Sequence, residues 1–193
     1  MRSHVPPSDA RSVAAAARGD EAEWNRLVAR HSSLLWAVAR GHRLSRADAA
    51  DVVQATWLRL VEHLADIRNP DSVGAWLATT ARREALLTIR RGARCEPSND
   101  LDVVPDAHAP GADAELLRGE RRTAIATALR RLPTRDLALL RLLTLDPMPS
   151  YEEISAALAM PIGSIGPTRG RALERLRREL HRAGALELVA TAD

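Results

Sequence analysis

Thr168, Arg171 and Arg175 recur at intervals of three and four residues in the stretch SIGPTRGRALERLRRELHR. On a helix that spacing lines them up on one side. Arginine there suits nucleic acid, because its planar fork donates two parallel hydrogen bonds to guanine O6 and N7, or to a phosphate. Positioning such a strip takes a helix, and the flanking residues predict one. Ile165, Ala172 and Leu176 form its buried stripe, Ser164 is its expected cap, and Pro167 falls in the first turn, where a missing N–H costs little. A shorter helix precedes it. Ser150 and Glu153 make an S-x-x-E capping box, Ile154, Ala157 and Leu158 supply its apolar face, and Pro161 and Gly163 end it. Two helices joined by a tight turn, the second carrying exposed arginine, match the helix-turn-helix pattern. A helical hairpin with a solvated basic face would show the same spacing.

A second arginine cluster, Arg82, Arg83, Arg90 and Arg91, closes a helix whose start is apolar (Val73, Trp76, Leu77, Ala81). It suits phosphate tracking, or simple pairing with the negative end of the helix. Catalytic chemistry has no comparable footing. The six histidines, His4, His31, His42, His63, His108 and His181, are scattered, and no H-x-x-x-H, paired-carboxylate constellation or phosphate-cradling glycine loop occurs. The single Cys95 excludes an internal disulfide and a multi-cysteine zinc site. No catalytic residue, metal or cofactor is expected.

In the chain of 193 residues, apolar types make up 46% but aromatic ones only 3%, with no Phe. Leu, Ala, Val and Ile must build the core, which favours helices over sheet. All 28 basic residues are arginine, a bias that base composition alone can produce, so their distribution says more than their number. Residues 1–91 carry 14 Arg against 10 Asp and Glu, residues 92–114 carry 1 against 5, and residues 115–193 carry 13 against 10. Two basic blocks therefore flank an acidic strip, and each could meet a polyanion. No apolar run approaches the ~20 residues of a membrane span, and the start of the chain lacks a signal-peptide core. A cytoplasmic protein without membrane insertion is expected.

In chain order, residues 1–19 read as an N-terminal extension holding a short helix from Asp9 to Arg18. Asp20 caps a longer helix with Trp24, Leu27, Val28, Leu34, Leu35 and Val38 on its buried face, stopped by Gly41. Ser45 caps the next, whose apolar positions are Val52, Val53, Trp57, Leu60, Val61 and Leu64. After the loop Asp66–Pro70, Asp71 is the expected cap of the helix with the arginine cluster. Residues 20–91 thus form one helical block. Residues 92–114 lack periodicity and read as an acidic linker. Residues 115–182 form a second block, and 183–193 a tail. The expected fold is all-α, with two small helical domains.

Asp48 to Arg91, DAADVVQATWLRLVEHLADIRNPDSVGAWLATTARREALLTIRR, resembles conserved region 2 of bacterial sigma factors. ALRRLPTRDLALLRLLTLDPMPSYEEISAALAMPIGSIGPTRGRALERLRREL resembles their region 4. Both in this order, with little else, resemble the extracytoplasmic-function group of sigma-70-type factors. The resemblance implies roles. Asp51, Gln54, Trp57 and Leu58 match the family's D-x-V-Q-x-x-F-L segment, which docks on the clamp coiled coil of core RNA polymerase. Glu62 extends that surface, and region 4 meets the flap. Arg68, Asn69, Asp71 and Ser72, with Arg82, Arg83 and Arg90, match the part that reads and opens −10 promoter DNA. Opening requires capture of an unstacked base and a hold on the single-strand backbone. Arg171 aligns with the base-contacting arginine for the −35 element, flanked by Ser164, Thr168, Arg169 and Arg175. An anti-sigma partner is also implied. The chain departs from the pattern at Arg83 and Leu87, where Asn and Asp are common, and at Gly166-Pro167, where Lys-Ser is common.

The expected function is thus an alternative sigma factor rather than an enzyme. A stand-alone helix-turn-helix regulator is the first rival and should dimerise on palindromic sites. The D-x-V-Q segment and the lack of a dimerisation element argue against it. A helical nucleic-acid hydrolase lacks its carboxylate cluster, and a protein-only adaptor leaves both basic blocks unexplained.

Overall fold

A computed structural model describes residues 9–92 and 112–182, apart from the side chains of 112–118, 120 and 122. Most of the expected linker, with Cys95, and the tail 183–193 lie outside the described residues. The described chain is all-α, with no strand. Eight helices follow in order: α1 Asp9–Ala16, α2 Glu21–Gly41, α3 Arg46–His63, α4 Val73–Arg90, α5 Ala112–Arg131, α6 Thr134–Leu143, α7 Tyr151–Leu158 and α8 Ile165–Arg182. Short 3-10 turns at Leu64–Asp66, Pro70–Ser72 and Ile162–Ser164 join α3 to α4 and α7 to α8.

Local chemistry sets most of these boundaries. Asp20 Oδ1 accepts from Glu23 N at 3.1 Å to start α2, and Ser45 Oγ accepts from Asp48 N at 3.1 Å to start α3. At α7 the capping box is complete: Glu153 N donates to Ser150 Oγ at 3.2 Å and Ser150 N donates to Glu153 Oε2 at 2.7 Å. Each bond satisfies an amide that the helix leaves without a partner. Two expected caps fail. Asp71 lies inside the 3-10 turn that leads into α4, whose cap position is Ser72, with no side-chain bond to an amide of the helix. Ser164 likewise sits in a 3-10 turn, and its Oγ donates back to Pro161 O at 2.7 Å instead of capping α8.

The long α2 is the axis of the packing, touching α1, α3, α4 and α6. Leu27, Leu34, Leu35 and Val38 on α2 meet Leu77, Ala78 and Ala81 on α4, and the same cluster continues into Leu139 and Leu142 on α6 and Ile154 and Ala157 on α7. The two sequence blocks therefore share one core. A smaller cluster, Leu132, Leu137, Leu140 and Ala172, ties α6 to α8. Val61 departs from its expected place: it is 57% exposed.

Helix α1 packs on α2 and against the Pro70–Ser72 turn, with Val13 in the core. Ser12 Oγ donates to Glu23 Oε2 at 2.8 Å. Asp9 pairs with Arg30 and lies 3.2 Å from His31 Nε2. Burial pushes the Asp9 carboxyl up, but the His31 ring and the Arg30 guanidinium more than offset it, leaving it below its ordinary value of 3.8. A carboxylate depressed on folding stabilises the fold above its unfolded pKa and loses that contribution as pH falls through the folded value. Asp9→Asn should therefore lower stability by roughly 1–2 kcal/mol near neutrality, the scale of a charge-assisted bond. Denaturant melts of both proteins should converge as pH drops below about 4. A gap that persists in acid would show that the loss is packing rather than charge.

Candidate nucleic-acid and polymerase interfaces

The amphipathic α8 lays Ile165, Ala172 and Leu180 inward and leaves its basic residues on the other side. Thr168 joins the inward set at 9% exposure, so it is not a groove-facing residue. Its Oγ1 accepts from Arg171 Nη2 at 3.1 Å, which steadies the exposed guanidinium. Arg175 is half-buried and ion-pairs with the buried Asp136 of α6, a pair that clamps α8 to α6. Arg169 is exposed but lies two residues from Arg171, roughly 160° around the helix, so the two do not share a face. Arg178 does share it, seven residues on and exposed. The three-and-four spacing that begins at Thr168 continues three residues past Arg175 to Arg178, so the same pattern carried further along the helix finds it.

The loop before α4 exposes Arg68, Asn69, Asp71 and Ser72 together. Asn69 Nδ2 donates to Ser72 Oγ at 2.8 Å, which fixes the turn and leaves the Asn69 carbonyl oxygen for another donor. Along α4, Arg83 and Arg90 are exposed and seven residues apart, hence on one face. Arg82 is half-buried beside His42, with Nε lacking a protein partner. Burial first, and then the Arg82 charge, push the His42 pKa below its ordinary value. Arg82 is thus set apart from the Arg83–Arg90 face. Trp76 packs against the core, its ring tilted toward His63 at 6.3 Å.

On α3 the outward strip is Asp51, Gln54, Leu58, Val61 and Glu62, all exposed. Leu58 and Val61 are 58% and 57% exposed one turn apart, an apolar pair rimmed by polar residues. Trp57 is half-buried and meets Trp24 edge-on at 5.7 Å, so it anchors α3 to α2 rather than standing on the strip. Glu62 accepts from Arg59 at 3.2 Å. Val61 belongs to this strip, and its apolar type gave no hint that it faces outward.

No group of three or more His, Cys, Asp or Glu that could hold a metal occurs among the described residues. None of the described helices is long and apolar enough to cross a membrane.

Residues 27–95 match the family Sigma-70 region 2. The chain is 30% identical over 132 residues to the ECF RNA polymerase sigma factor RpoE of Cereibacter sphaeroides, covering 68% of this chain and 70% of that protein. It is 29% identical over 183 residues to the ECF RNA polymerase sigma factor SigE of Mycolicibacterium smegmatis, covering 90% and 69%. Among solved structures, CnrH in complex with the cytosolic domain of CnrY is similar with a TM-score of 0.61 and 26% identity, over 91% of this chain and 98% of that one.

Proposed function

The chain belongs to the extracytoplasmic-function (ECF) family of RNA polymerase sigma factors, and on that footing we propose which of its surfaces carries each step of initiation. It is an initiation factor and not an enzyme: it binds core RNA polymerase and directs promoter-specific transcription. The outward strip of α3 is the surface for the polymerase clamp. The carrying observation is the exposed pair Leu58 and Val61, flanked by Asp51, Gln54 and Glu62, on a helix whose other side is fully packed. The Arg68–Ser72 loop with Arg83 and Arg90 is the −10 surface: loop polar groups take an unstacked base and the arginines hold its backbone. Arg171 reads the −35 element, Arg178 holds phosphate beside it, and Arg175 positions the helix through Asp136.

Membership of the family implies an anti-sigma protein as a further partner, and the similar CnrH was itself solved in complex with another protein, the cytosolic domain of CnrY. The chain works in the cytoplasm, where polymerase and promoters are.

The test is run-off transcription from a pool of promoter fragments, with purified core polymerase with and without this protein. Selective transcripts that require the protein are expected. Duplex binding without core binding or transcript would support the stand-alone regulator instead.

A further inference from the structure

Helix α1 precedes the stretch that matches the family, which begins at residue 27, and it adds no residue to the polymerase, −10 or −35 surfaces. It is nevertheless fixed in place. Gly19, at φ +90°, turns the chain so that α1 folds back along α2. Two polar ties hold it there. The buried Ser12 donates to Glu23 Oε2 at 2.8 Å, and Asp9 pairs with Arg30. A helix of eight residues has no stability of its own in water, so its position depends on these contacts.

Helix α1 in turn backs the loop before α4. It packs against the Leu64–Asp66 and Pro70–Ser72 turns and against α4. Val13, 2% exposed, lies in one cluster with Ile67, which precedes Arg68, and with Val73, which follows Ser72. The exposed Arg68, Asn69, Asp71 and Ser72 are thus bracketed by two apolar residues seated in the same core as Val13. The loop's own bonds are local. Ser72 N donates to Asn69 O at 3.1 Å, and Asn69 Nδ2 donates to Ser72 Oγ at 2.8 Å. Both set the shape of the turn but not where it stands on the molecule, and no side-chain cap ties it to α4. Its placement comes from α4, into which it runs, and from α1 behind it.

We propose that α1 is a positioning element for the −10 loop, with Val13 and Ser12 as its positioning residues. Val13 seats the two apolar flanks of the loop, and Ser12 locks α1 to α2. The proposal rests on the sigma-factor reading of that loop. Capture of an unstacked base needs polar groups held to within about 0.5 Å by the residues behind them. The hold of Arg83 and Arg90 on phosphate is less exacting, because charge acts over a longer range. Loosening α1 therefore weakens base capture selectively.

The experiment uses the full-length protein with core polymerase and the single-stranded non-template −10 strand of a promoter that the run-off pool yields. Abasic sites are placed at each position in turn. With the wild-type protein, one position should lose about tenfold or more in affinity, the scale of one held base. In Val13→Ala, which leaves a cavity beside the loop, that penalty should fall to about two- to threefold. The salt dependence should stay the same, since the arginines are untouched. Ser12→Ala removes only a hydroxyl, so it should shift the penalty in the same direction by less. It decides the matter if circular dichroism shows that Val13→Ala fails to fold. A merely structural loss would lower affinity alike for every oligonucleotide and leave the penalty where it was. An unchanged penalty in the folded variants overturns the role of α1. So does a loss of affinity for core polymerase as large as the loss on DNA. No penalty at any position with the wild-type protein overturns base capture by the loop, the reading on which the proposal stands.

Discussion

Leu58→Asp combined with Val61→Asp should weaken binding to core RNA polymerase by about 30-fold or more, with no loss of thermal stability. Both side chains are more than half exposed in the free protein, so charge there opens no cavity and strips no packing. In a complex, the same two positions would form the dry centre of a small interface. Desolvating two carboxylates against an apolar partner costs at least about 2 kcal/mol, the scale of an interface hot spot, and each 1.4 kcal/mol is about tenfold in affinity. The flanking pair behaves differently. Asp51→Arg with Gln54→Ala alters the polar rim, so it should mainly change the association rate and its salt dependence. Titration of labelled core polymerase with each variant, alongside melting curves, separates the two. Unchanged affinity in the Leu58, Val61 variant would remove α3 from the interface.

What was legible in the sequence depended on range. Asp20, Ser45 and the Ser150–Glu153 box are bonds across three residues, written in the local string, and all form as spaced. The apolar stripe of α2 was equally plain, because a period near 3.6 names a face. An apolar type can mask the face that spacing names: Val61 is seven residues from Gln54 and three from Leu58, on the outward strip. Val61 lies one residue from the buried Leu60 and reads as core, yet it faces solvent because no element covers that side of α3. Thr168 made the opposite error: a hydroxyl in an arginine-rich strip reads as a DNA-facing group, but it is buried with its oxygen turned to Arg171. The packing between the blocks was the least legible feature. Gly41 reads as a helix stop, Gly74 and Ala138 carry no signal, and Glu153 already had a local role as a cap. Only distances between residues 79 and 97 positions apart in the chain show them meeting.

Arg171→Ala should cost about 1–3 kcal/mol on a matching −35 element and flatten preference at one base position. Three observations concentrate the reading on this residue. It is exposed on the open face of α8, Thr168 Oγ1 steadies its guanidinium at 3.1 Å, and its neighbours are otherwise engaged or turned away. Arg175 is held by Asp136, and Arg169 points to the far side of the helix. A steadied fork loses less freedom on pairing with a base edge than a free one does. Arg171→Lys keeps the charge but not the fork, so it should recover phosphate-driven affinity without restoring the base preference. Thr168→Val should weaken discrimination in the same direction by less, because it removes only the steadying oxygen. Arg178→Ala supplies the contrast: without its hold on a phosphate, binding should weaken alike for all sequences and the salt slope should fall by about one. Binding of the full-length protein with core polymerase to a library of −35 variants at two salt concentrations reads all four. If Arg171→Ala weakened every sequence equally, Arg171 would be a phosphate-binding residue, and the base-reading residue would have to be sought elsewhere on α8.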